Sequence, residues 1–140
     1  MNGLDTNILA RYYIDDVTDS ESQKQRLIAQ KIIEAGTPLM VCKTVILELE
    51  WVMRGYYGFL PEAISQVLIH LLGMSHVHME DREAIHRALR YYQAGLDFAD
   101  AMHHASYQPC TQMLSFDDRR FARKVKKMAL LPPVIVPKLG

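Results

Sequence analysis

Polar and apolar positions change period along this chain. Short, nearly continuous apolar runs give way repeatedly to longer stretches with apolar residues three and four apart. The spacing predicts a helix over "TNILARYYI", beginning at Thr6, and a turn over "DDVTD" (15–19). Ser20-x-x-Gln23 has the form of a capping box before "SQKQRLIAQKIIEAG". There Leu27, Ile28 and Ile32 recur on one helical face, and Gly36 is the stop signal. "TPLMVC" (37–42) reads as a short strand. "TVILELEWVMRGYYG" reads as a helix from Thr44 that ends near Gly55–Gly58, and "LPEAISQVLIHLLGM" as a helix with Pro61 in its first turn. "VHM" (77–79) is a short strand, "DREAIHRALRYYQAG" a helix closed by Gly95, and "DFADAMHHASYQ" a helix from Asp97. "TQMLSF" (111–116), "DRRFARKVKKM" and "PVIVP" (133–137) read as strand, helix and strand.

Strands alternating with helices predict an α/β fold. The expected form is a three-layer α/β/α sandwich with a short, mostly parallel central sheet. No repeat, low-complexity run or linker divides the chain, so a single domain over 1–140 is expected. At 140 residues it can bury a core without a disulfide or a structural metal. Cys42 and Cys110 lie far apart and are expected to be reduced core thiols. Lys+Arg and Asp+Glu balance at 16 each, which disfavours nonspecific nucleic-acid binding through total charge and leaves local patches open. No basic-then-apolar leader and no apolar run long enough for a membrane span is present, so a soluble cytoplasmic protein with no membrane partner is expected.

Ligand sites of open α/β sheets form beyond the carboxyl ends of the strands. Asp5 follows the first apolar run and Asp117 follows "TQMLSF", each at a strand-to-helix junction. Either residue has a plain reading as a helix cap. Asp97 and Asp100 fall in the first turn of one helix, where its positive end favours both charges. Glu48 and Glu50 lie inside a helix. If Val45, Leu49 and Val52 define its inward face, Glu48 is half-inward, whereas Glu50 is a solvated surface acid paired with Arg54 four residues on. A half-inward carboxylate needs compensation. Clustered carboxylates raise one another's pKa, and a divalent cation removes that repulsion. Hard oxygen ligands suit Mg²⁺ or Mn²⁺, which activate water for phosphodiester hydrolysis.

"GLDTNIL", the acid in "VILELEWVM", "DFADAMHHA" and "LSFDDRRF" resemble, in order and spacing, the PIN-domain ribonucleases, and among them the small VapC-type toxins of bacterial toxin–antitoxin pairs. The resemblance covers essentially the whole chain. It implies an acidic quartet, Asp5, Glu48, Asp100 and Asp117, holding one or two Mg²⁺ or Mn²⁺ ions. It also implies that Thr6 and Asn7 orient the first acid or its water, and that Asp97 is an additional acid which caps, ligates or both. Ser115 stands where the family usually has threonine, and Asn2 where an apolar residue is common. The activity implied is endoribonuclease cleavage of RNA. The implied partners are a second copy, forming a homodimer, and a cognate antitoxin that lays its C-terminal segment over the toxin.

"RRFARKVKK" (119–127) concentrates basic residues beside Asp117, with Phe121, Val125 and Met128 inward. This is a solvated helix face or an RNA phosphate contact, and Arg119 and Arg120 are the RNA-binding candidates. His103 and His104 are expected at the surface or a dimer contact, and His76 and His78 lack the further ligands a zinc site needs. The aromatics of "RGYYGFL" (54–60) suit core or loop packing, or a partner surface. Two rival readings remain: a catalytically inactive PIN-like binding module, and a receiver-type signalling domain. The second would want adjacent acids after the first strand and a lysine after "TQMLS", and this chain has neither.

Overall fold

The computed structural model describes residues 1–140 and divides the chain into two compact units, Met1–Arg82 and Glu83–Gly140. The first contains β1 (Asn2–Gly3), α1 (Thr6–Tyr13), α2 (Ser20–Glu34), β2 (Leu39–Val41), α3 (Lys43–Trp51), a π-helical turn (Val52–Tyr56), α4 (Pro61–Leu72) and β3 (Val77–Met79). Its three strands form a parallel sheet in the order β1-β2-β3, with Asn2 opposite Leu39 and Leu39 opposite Val77. β2 is buried because helices cover it, and Leu39, Val41, Leu9, Ile33, Ile46, Leu49, Ile64 and Leu68 make the core. The fold is α/β with a short parallel sheet, as the alternation of segments predicts.

α5 (Arg82–Gln93) opens the second unit. α6 (Phe98–Ser106), β4 (Met113–Leu114), a second π-helical turn (Asp118–Ala122), α7 (Arg123–Lys127) and β5 (Val134–Ile135) complete it. β4 and β5 pair in parallel, with Met113 opposite Val134. Ile85, Leu89, Phe98, Met102, Phe121 and Val125 are buried. Gly36 and Gly95 follow their helices with φ of 77° and 108°, the left-handed stops that only glycine adopts freely.

The faces of two helices differ from the expectation. α2 buries Ser22, Ala29 and Ile33 and leaves Leu27 and Ile28 exposed. Small residues at the contact let α2 lie close to α1, and that packing outweighs the larger apolar stripe. Its cap is Asp19, which accepts from the Glu21 N–H at 3.1 Å and from the Ser22 hydroxyl at 2.8 Å. Gln23 does not close a capping box; its amide donates to Asp15 Oδ1 at 2.8 Å and to the Asp16 carbonyl at 2.7 Å. α3 turns Ile46, Leu49 and Glu50 inward, leaves Val45 half-buried and exposes Glu48. Glu50 is therefore not a surface acid: it is 2% exposed. The predicted pairing exists, with Arg54 Nε donating to Glu50 Oε2 at 2.8 Å from a half-exposed side chain. The arginine neutralises a buried carboxylate that would otherwise be too costly. Cys110 is exposed, in the turn after α6, and is not a core thiol; Cys42 is half-buried, and both are free.

Candidate acidic site

Asp5 lies just past the carboxyl end of β1, and Leu4 N–H still donates to the Met40 carbonyl at 2.9 Å. It caps α1 by accepting the Thr6 N–H on Oδ1 at 2.8 Å. The cap reading and the site reading use different oxygens, so both fit. Thr6 is buried, and its Oγ1 has no hydrogen-bond partner. α3 starts past the carboxyl end of the neighbouring β2, which brings Glu48 to the same edge of the sheet. Asp5, Thr6, Asn7 and Glu48 all line one cavity of about 360 Å³.

Two more acids on that cavity were not singled out from the sequence. Asp16 and Asp19 line it, together with Arg11, Trp51, Tyr56 and Tyr57. The Thr18 hydroxyl, at 2.7 Å, holds the Asp16 carboxyl below its ordinary value, helped by Tyr57 and Arg11. "DDVTD" reads as a turn and behaves as one. That the turn closes over the end of α1 is a tertiary fact with no local signal.

In the second unit, Asp97 caps α6 as predicted. It accepts the Asp100 N–H on Oδ2 at 3.2 Å, which fixes the two acids one turn apart. Asp117 caps the second π-helical turn, accepting the Arg120 N–H on Oδ1 at 3.0 Å. Ser115 supports Asp117 through the backbone, its Oγ accepting the Asp117 N–H at 3.1 Å. The Asp100 carboxyl is held above its ordinary value, first by partial burial and then by the charges of Asp97 and Asp117, against the opposing pull of His103 and Lys124. Carboxylates crowded in this way gain from a bound cation.

Arg119 and Arg120 are exposed, while Phe121 and Val125 are buried as the apolar stripe predicts. Arg123 is tied to Asp118 at 2.8 Å. His103 is exposed. His104 is not at the surface: it is fully buried, bonds through Nε2 to the Pro132 carbonyl at 2.8 Å, and packs edge-on against Tyr91 and Phe121. It is a core histidine that ties α6 to the segment before β5.

No three His, Cys, Asp or Glu side chains are gathered closely enough to form a ready-made metal cage. The donor chemistry still suits Mg²⁺ or Mn²⁺. Such ions take hard oxygens, keep several waters and need only one or two carboxylates. In the first unit the unpartnered Thr6 Oγ1 beside Asp5 is a group that such an ion, with its water shell, would satisfy; in the second, considered by itself, the raised Asp100 carboxyl is one whose charge a cation would offset. No helix is long and apolar enough to cross a membrane.

Comparison with known proteins follows the same residues. No curated protein and no solved structure matches the chain. The family model of the PIN domain matches residues 4–127, from the residue before Asp5 to the end of α7, and so takes in every acid described above. The chain belongs to the PIN domain family, a fold of nuclease type.

Proposed function

We propose that the protein is a metal-dependent endoribonuclease, the toxin of a toxin–antitoxin pair, in which Asp5, Glu48, Asp100 and Asp117 serve one hydrolytic reaction on RNA. The observation that carries this reading is the cavity that Asp5, Thr6, Asn7 and Glu48 line together past the carboxyl ends of β1 and β2. Family membership supplies the nuclease context. When bound, Mg²⁺ or Mn²⁺ would lower the pKa of a water and neutralise charge on the departing oxygen.

The chain's own residues do the rest. Asp5 keeps one oxygen on the Thr6 N–H and so presents the other in a fixed direction. Asn7 lines the same cavity and would orient that oxygen or its water, and the Thr6 hydroxyl, which has no partner in the protein, would bond a water of the ion's shell. Asp97 and Ser115 position their neighbours, Asp100 and Asp117, through backbone N–H bonds. Arg119 and Arg120 are exposed guanidinium groups next to Asp117 and attract the phosphate chain. A cognate antitoxin and a homodimer belong to the same reading, as does a cytoplasmic location.

The test is incubation of purified, partner-free protein with total RNA and Mg²⁺, beside an Asp5→Asn control. Discrete metal-dependent fragments that vanish in the control are expected. Intact RNA in the presence of well-folded, metal-saturated protein would instead favour an inactive binding module.

A further inference from the structure

Trp51 and Tyr56 are 58% and 75% exposed, and both line the cavity that takes in Asp5 and Glu48. Leaving two large rings in water forgoes burial that a folded chain normally takes. The backbone brings both to one cavity. Five residues apart on a regular α-helix, they would point about 140° away from each other. After Trp51 the helix widens into the π-helical turn, where the Tyr57 N–H donates to the Val52 carbonyl at 3.2 Å. The wider turn narrows that divergence, so that both side chains line the same cavity, and such turns recur at functional sites. The Trp51 indole lies along Gly55; a Cβ there would stand 3.5 Å from its Cε2.

Tyr57 packs edge-on against Tyr56, with ring centroids 4.8 Å apart, and its hydroxyl donates to Asp16 Oδ2 at 3.3 Å. The cavity therefore offers flat aromatic surface and a fixed carboxylate acceptor, with Arg11 to offset charge. Aromatic faces stack any base, and unpaired RNA bases expose their Watson–Crick edges. A carboxylate, acceptor-only when ionised, selects edges that donate. Guanine presents two adjacent N–H donors there, and uracil only one.

We propose that this cavity is a nucleotide subsite of the substrate, in which an unpaired guanine stacks on Trp51 and Tyr56 and donates to the Asp16 carboxylate. The proposal rests on the ribonuclease reading and names the base that reading leaves open. Trp51 and Tyr56 are positioning residues and Asp16 sets specificity.

Trp51 is the only tryptophan, so its emission reports on the subsite alone. The wild-type protein is titrated with short single-stranded oligoribonucleotides, guanine-containing or all-uridine, with Ca²⁺ in place of Mg²⁺ to slow hydrolysis. Binding is followed in parallel by anisotropy of labelled RNA. Saturable quenching is expected, tighter for the guanine oligonucleotide. Tyr56→Ala should weaken binding on the order of tenfold, and Asp16→Asn should keep the quenching and lose the guanine preference. RNA that binds by anisotropy without changing Trp51 emission, or that binds Tyr56→Ala as tightly as the parent, overturns the subsite. So does quenching with no base preference. Cleavage of total RNA in Mg²⁺ separates the two claims. Cleavage without quenching removes the subsite and keeps the nuclease, while base-selective quenching without cleavage does the reverse.

Discussion

Asp5 and Glu48, in the first unit, stand exposed on the wall of a cavity they share with aromatic side chains. Asp100, in the second unit, is half-buried and crowded by Asp97 and Asp117, and its carboxyl is held up. Water reaches the first pair. In the second unit partial burial, and then the charges of Asp97 and Asp117, disfavour the ionised form of Asp100.

The largest expected effect sharpens this contrast within one helix. Glu48→Gln should lower RNA cleavage by about a hundredfold, since a lost metal-directed carboxylate removes several kcal/mol of charge stabilisation. Its melting temperature should stay at the parent value, because Glu48 is exposed. Glu50, two residues on, should do the opposite. Glu50→Ala removes the buried partner of Arg54 and should cost about 1–3 kcal/mol in urea unfolding, with the folded fraction still cleaving. If Glu48→Gln destabilises and Glu50→Ala inactivates folded protein, the assignment of the two acids is reversed.

A smaller effect concerns the basic end of the second unit. Arg120→Ala keeps the backbone N–H that Asp117 accepts, so it tests only the side chain. RNA affinity should fall a few-fold, alike for all sequences, and the slope of log affinity against log salt should drop by about 1. An unchanged slope would leave Arg120 as a solvated charge.

The smallest effect is on pH-dependent stability. Folded Asp100 holds its proton more tightly than the unfolded chain does, so stability falls as pH rises from the ordinary value of 3.8 through the folded one. Above that window the cost is fully present. Asp100→Asn should therefore melt higher than the parent at neutral pH, and the two curves should converge in acid below about pH 3. A variant that melts lower at neutral pH would mean that Asp100 is not strained by its neighbours.

The elements were legible in the sequence because their signals are local. Asp5 and Asp97 cap the helices they precede, Gly36 and Gly95 close theirs, and every short apolar run became a strand. Helix faces were less legible. Apolar and polar residues are spread around α3 without a clean stripe, so its period leaves the inward direction open, and Arg54 four residues on allows Glu50 to go inside. On α2 the larger side chains Leu27 and Ile28 stay out, and the buried positions are Ser22, Ala29 and Ile33 on the helix that packs against α1. His104 reads as a surface residue until the Pro132 carbonyl, 28 residues later, is known to meet it. Asp16 and Tyr56 reach the cavity through chain reversal and a π-helical turn, neither of which has a residue-level signature here.

The proposed function has Asp5 and Asp100 serving one reaction. A double-mutant cycle tests it most directly. Single-turnover cleavage rates are measured for Asp5→Asn, Asp100→Asn and the double variant, with folding checked by circular dichroism. Residues acting as one unit are strongly non-additive. The account predicts that each single variant loses nearly all activity and that the double loses no more. Losses that multiply, or full activity in either single variant, would contradict it.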